Sequence, residues 1–183
     1  KVSRRPSGEP EIFHSVQGEG VTAGTPTVFL RLATCNLACT WCDTKYTWDW
    51  KRYAYDREVM AMSSQDVERR ILAYDRPHLV ITGGEPLLQQ QELAPLVASL
   101  HRRGFYCEVE TNGTIIPSAD MVDAISQWNV SPKTSSSGNR TESREKPEAF
   151  LAFRELENAY FKFVMVDPSD AADHQRRKSL DRQ

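Results

Sequence analysis

An α/β fold on an open, largely parallel sheet is what this sequence predicts, and three observations lead there. Short strand-like runs alternate with helix-like segments about five times, the pattern of repeated strand–helix crossovers. The motifs "CNLACTWC", "TGGEP", "ETNG" and "SPK" each fall where a strand ends, which is where such sheets keep their functional loops. With 183 residues and 39% hydrophobic content, one domain can bury roughly 70% of its unfolded surface.

The elements follow in order. Residues 1–10 form a polar, turn-rich lead. Glu11 to Val16 alternates like a short strand, Gly18 to Gly24 is a glycine loop, and Val28 to Leu32 is the first strand of the sheet. In "SSQDVERRILAYD", Val67, Ile71, Leu72 and Tyr74 sit near helical spacing behind a serine cap. "HLVIT" is a short apolar run closed by the glycine turn "GGEP". Leu93, Leu96, Val97 and Leu100 recur at three and four, with Gly104 as the helix stop. "FYCEVET" alternates as a strand and sets Cys107 on the side of Phe105 and Val109, opposite Glu110, so Cys107 reads as a structural thiol. "ADMVDAISQW" is a short helix, "WNVSPK" a brief strand, "SSSGNRTESREKPE" a polar loop, "EAFLAFRELENA" a helix and "YFKFVMVD" a fifth strand. The core domain is therefore expected over 11–166, followed by a polar, disordered tail at 167–183. With no apolar element after Val166, one flank of the sheet is expected to stay open, truncated or completed by a second subunit.

A formal charge of −2 gives no electrostatic case for nucleic acid or a membrane surface. The apolar runs are too short to cross a bilayer. Four cysteines in a chain of this length are not the density of a disulfide scaffold. Cys35, Cys39 and Cys42 stand at C-x3-C-x2-C, and bridging two would strand the third. A reduced, cytoplasmic protein using thiols as ligands is the expectation. Three thiolates fall one short of a structural zinc site, and nothing in the setting of His14 marks it as a fourth ligand. Soft thiolates suit an iron–sulfur cluster, and three leave one iron open for chemistry. Structural zinc and incidental thiols are the alternatives.

With Trp41 before the last cysteine and "GGEP" after the next strand, the chain resembles the radical S-adenosylmethionine (radical SAM) superfamily. Within it, "EIFHSVQGEG", "FLRLATCNLACTWCDTKYTW", "VITGGEP", "ETNGT" and "VSPK" are similar to the 7-carboxy-7-deazaguanine synthase family of queuosine biosynthesis. "QGEG" and "CDTKYTW" are the discriminating pieces. The resemblance implies a partial, open parallel (β/α) barrel of the radical SAM type, short of the family's usual C-terminal region. It implies a lyase that converts 6-carboxy-5,6,7,8-tetrahydropterin to 7-carboxy-7-deazaguanine with loss of ammonia. A 4Fe-4S cluster would sit on Cys35, Cys39 and Cys42. S-adenosylmethionine would contact Trp41, Asp43, Gly84, Glu110, Ser131 and Lys133. The substrate would contact Val16, Gln17, Gly18, Glu19, Arg31 and Thr82, and Mg2+ would bind Thr44. Arg31 would meet the substrate carboxylate through its bidentate fork. No side chain is assigned as a general base. A reductant such as flavodoxin or ferredoxin and a homodimer are further implied. Another radical SAM enzyme, such as a glycyl-radical activase, would share the cysteines and "GGEP" without needing "QGEG" followed by Arg31. A non-catalytic metal-binding module is the other alternative.

Overall fold

The structure, a computed structural model, describes residues 1–179. Its strands are β1 (Val2–Ser3), β2 (Ile12–Val16), β3 (Pro26–Leu32), β4 (Val59–Met60), β5 (His78–Gly83), β6 (Tyr106–Thr111), β7 (Gln127–Val130) and β8 (Ala159–Phe161). Among the described residues they form one sheet in the order β4-β1-β3-β5-β6-β7-β8, with β2 paired on β3. β3, β5, β6, β7 and β8 run parallel, and these are the five strands expected. The helices are α1 (Tyr55–Glu58), α2 (Ser64–Leu72), α3 (Gln90–Arg102), α4 (Ala119–Ala124), α5 (Thr141–Arg144), α6 (Pro147–Arg154) and α7 (Asp170–Ser179).

Local sequence explains the elements that carry the site. Leu79, Val80 and Ile81 are buried on both phases of β5, the continuous apolar run of a central parallel strand. The Ser63 side chain accepts from Asp66 N–H at 3.1 Å and caps α2, which buries Val67 and Ile71. α3 buries Leu93, Leu96, Val97 and Leu100 in the common core. Gly104 follows it at φ +83°, a turn conformation that glycine adopts without a Cβ clash. Trp128 of β7 packs edge-on against Phe153 of α6, ring centres 5.4 Å apart, and fixes that crossover. Cys107 and Val109 lie together in the core, as the alternation in "FYCEVET" requires.

The structure departs from the sequence reading in several places, α5 inside the expected polar loop "SSSGNRTESREKPE" among them. Antiparallel β1 and β4 join the parallel strands, and the short strand expected over Glu11 to Val16 forms β2, antiparallel on β3. The fifth parallel strand stops at Phe161 instead of running to Asp167, after Lys162 N–H donates one last bond to Val130 O at 2.8 Å. The tail expected as disordered from 167 carries α7, because Asp170 and Asp173 are buried and accept loop N–H groups. Residues 180–183 of that expected tail lie outside the described residues. Among the described residues no helix is long and apolar enough to cross a membrane.

Candidate active site

The carboxyl ends of β3, β5, β6 and β7 surround a cavity of about 470 Å³. Every residue singled out from the sequence lines it except Val16. Val16 is 54% exposed at the end of β2, where the neighbouring His14 and Ser15 are exposed as well.

The cysteine loop is bolted to the glycine turn. Gly84 N–H donates to Leu32 O at 3.0 Å and Glu85 N–H to Thr34 O at 2.9 Å. A Cβ on Gly83 would stand 2.1 Å from Leu32 O, and one on Gly84 would stand 1.9 Å from Thr34 O. The paired glycines are therefore demanded by backbone contact as well as by any ligand. Thr34 opens the loop at φ +77°, an uncommon conformation for a β-branched residue, held by its N–H to Thr47 O at 2.7 Å. Glu85, missed from the sequence although it ends "GGE", is fully buried. It accepts from Leu87 N–H, Thr111 Oγ1 and Asn112 N–H at 3.0, 2.8 and 2.7 Å, tying the turn to the end of β6. Burial still pushes its carboxyl above the ordinary value, with those donors opposing.

Cys35, Cys39 and Cys42 are all free thiols. Burial pushes Cys35 up to about 12, and burial raises Cys39 against the opposing charge of Lys133. Such thiols stay protonated until a metal displaces the proton. Among the described residues no three His, Cys, Asp or Glu side chains converge as ligands of one ion would. Three soft sulfurs that line one cavity are ligands of the kind that suits an iron–sulfur cluster. The Trp41 indole N–H is buried there without an acceptor among the described residues, a donor available to a bound group. Lys133 Nζ lies 5.5 Å from the Trp41 ring centre and donates to Ser131 Oγ at 3.0 Å. Burial holds its pKa below the ordinary lysine value, while Cys39 pulls the other way. Thr44 Oγ1 is 3.6 Å from Cys42 Sγ.

A polar network reaches the same cavity through Gln17, Thr82 and Glu110. Gln17 Nε2 donates to Glu108 at 3.4 Å and to Glu110 at 3.3 Å, and Thr82 Oγ1 donates to Glu110 at 2.6 Å. Glu108 also accepts from Asn129 Nδ2 at 2.8 Å and pairs with His78 Nε2. Burial alone would raise Glu108, but His78, Thr22 and Asn129 together hold its carboxyl below the usual range. Arg31 Nε is taken by Glu11 at 2.9 Å, and Tyr46 OH donates to both Glu11 oxygens at 3.0 Å. A bidentate approach to Arg31 is thus left to its terminal nitrogens. Glu19, expected to contact the substrate, is paired with Lys162. Glu11, Tyr46 and Glu108 were missed from the sequence. Glu11 and Tyr46 stand inside the quoted "EIFHSVQGEG" and "CDTKYTW" without a role of their own, and Glu108 shares a face of β6 with Glu110 at a spacing of two.

Residues 31–166 match the family model described as the Radical SAM superfamily. The chain is 36% identical over 168 residues to a 7-carboxy-7-deazaguanine synthase of Pyrobaculum aerophilum, covering 91% of this chain and 70% of the relative. It is 38% identical over 176 residues to one of Halobacterium salinarum, covering 87% and 64%. Against the Escherichia coli synthase it is 40% identical over 121 residues, covering 57% and 52%. The chain thus spans roughly half to seven tenths of these relatives' length. Among solved structures, QueE from Escherichia coli superposes with a TM-score of 0.58 at 29% identity, over 94% of this chain and 88% of that one. A structure of TYW1 with a lysine-pyruvate adduct bound shares the fold, at a TM-score of 0.59 and 16% identity over 82% of this chain and 61% of that one.

Proposed function

The chain belongs to the radical SAM superfamily and, within it, to the 7-carboxy-7-deazaguanine synthase family, and on that premise we propose that it converts 6-carboxy-5,6,7,8-tetrahydropterin to 7-carboxy-7-deazaguanine with loss of ammonia. The observation that carries this reading is a cavity lined by three free cysteines and by the Gln17–Glu110–Thr82 network together. Cys35, Cys39 and Cys42 would hold a 4Fe-4S cluster. With S-adenosylmethionine, that cluster supplies a carbon-centred radical able to take a hydrogen from the substrate.

This chain's own residues bind and orient. Lys133 and Ser131 bring a cation and a hydroxyl to the cofactor side, beside the Trp41 ring and the backbone of Gly84. Trp41, Asp43 and Glu110 complete the proposed S-adenosylmethionine contacts. Gln17, held by Glu108 and Glu110, offers an amide edge to a flat heterocycle. Gly18, Glu19 and Thr82 flank it, and Arg31 carries positive charge toward a substrate carboxylate. Mg2+ on Thr44, the finer part of the proposal, would complete its shell with substrate oxygens and water, the hard ligands that ion prefers. Free thiols support a reducing, cytoplasmic setting. A flavodoxin or ferredoxin reductant and a homodimer belong to the same reading.

The test is to reconstitute the chain anaerobically, reduce it, and supply S-adenosylmethionine with the carboxytetrahydropterin. Formation of 5′-deoxyadenosine together with the deazapurine is expected. A fully loaded, reduced protein that makes deoxyadenosine but no deazapurine would overturn the substrate assignment. One that makes neither would overturn the activity.

A further inference from the structure

We infer that Trp48 and Asn139 are positioning residues that set the reduction potential of the cluster, by donating hydrogen bonds to two of its three cysteine sulfurs. The inference rests on the cluster assignment above and goes beyond it to residues outside the cysteine motif.

Each sulfur has a nitrogen donor of its own, from a different part of the chain. Leu37 backbone N–H reaches Cys35 Sγ at 3.4 Å, Asn139 Nδ2 reaches Cys39 Sγ at 3.2 Å, and Trp48 Nε1 reaches Cys42 Sγ at 3.3 Å. Asn112 Nδ2, at 4.0 Å from Cys35, is a longer contact. The direction of the two side-chain bonds is settled by chemistry. An indole nitrogen can only donate. For Asn139, Oδ1 accepts the Ala38 N–H at 2.8 Å, which turns the amide so that its NH2 group faces the sulfur.

Donors on the thiolates act on the couple and not only on the fold. One-electron reduction adds negative charge, part of which spreads onto the ligating sulfurs. An N–H dipole aimed at a sulfur stabilises that added charge, so it favours the reduced cluster and raises the potential. The bond is stronger to an anionic sulfur than to a neutral thiol. A backbone donor such as Leu37 cannot be deleted by substitution, but the other two can.

Wild type, Trp48→Phe, Asn139→Ala and the double variant would be reconstituted anaerobically as the full chain. Iron and sulfide would be counted, and the midpoint potential measured by spectroelectrochemical titration without substrate. Each single variant is expected to titrate at a more negative potential with an undiminished cluster. The double variant should shift by about the sum, since the two donors serve different sulfurs. Trp48→Phe keeps the aromatic bulk, whereas Asn139→Ala also frees the Ala38 N–H. If one variant loses its cluster, the other carries the test. A loaded wild type whose potential neither variant moves overturns this inference alone. A wild type that takes up no cluster overturns both this and the reading beneath it.

Discussion

A methyl group on Gly84 would stand 1.9 Å from the Thr34 carbonyl oxygen, a backbone atom. No rotamer can relieve it, so Gly84→Ala must part the glycine turn from the start of the cysteine loop. The loss should reach at least the ~1–3 kcal/mol of an overpacked core, read as a lower urea midpoint, with less iron retained after reconstitution. Full stability in that variant would contradict the close approach. Glu108 makes a second residue-scale case, through pH. Its ordinary carboxyl value is 4.5, and the folded environment holds it lower. Above that value it is ionised in both states and its bonds stabilise the fold in full. As pH falls below it, the unfolded chain takes up the proton first, and the contribution disappears through the lower folded value. Glu108→Gln should cost about 1–3 kcal/mol at neutral pH and should flatten the fall in urea midpoint as pH drops below 4.5. Parallel pH curves for the two proteins would refute the assignment.

At the scale of elements, the connection from β7 to α6 does more than its composition advertises. The segment "SSSGN" looks like a plain polar loop, yet it clamps the cysteine loop. Thr40 N–H donates to Ser137 O at 2.9 Å, and Ala38 N–H to Asn139 at 2.8 Å. Gly138 turns there at φ +74° with Thr40 so close that a Cβ would meet its Cγ2 at 2.6 Å. The loop is held in turn by α7. Ser135 N–H donates to Asp173 at 2.6 Å and Ser136 N–H to Asp170 at 3.2 Å, while Arg144 sits 3.5 Å from Asp173. This was illegible in the sequence for a physical reason. Carboxylates that receive loop N–H groups more than thirty residues away leave no periodicity, and a helix start rich in aspartate reads as solvated tail. The double change Asp170→Asn, Asp173→Asn replaces charge-assisted bonds by weaker ones and should loosen the clamp. The cluster is then expected to bleach several-fold faster under an anaerobic iron chelator, with its initial iron content unchanged. Equal bleaching rates would separate α7 from the cluster loop.

Across the whole molecule, what the sequence made legible was the parallel sheet and the end of it that carries the site. Runs such as "HLVIT" and "CEVET" announce strands because their side chains are buried on β5 and alternate on β6. The two-residue strands β1 and β4 are too short for any pattern, and only tertiary pairing creates them. The same contrast predicts how stability is distributed. Interior strands β3, β5, β6 and β7 have neighbours on both sides, whereas β8 closes the sheet with one among the described residues. Amide exchange should be slowest at Val28, Leu30, Leu79–Ile81 and Cys107–Val109, all of them fully buried, and should approach the global unfolding limit there. Ala159–Phe161 should exchange orders of magnitude faster at its outward N–H groups. Loading the cluster should add protection at 35–42 and 135–139, the two loops that touch through Thr40 and Asn139, while the interior strands stay as they were. Protection of β8 equal to that of β5 would show the open edge covered by a second copy, and a concentration series would then bring the rate back up on dilution. Protection spread evenly over the sheet at every concentration would contradict the ordering of strands itself.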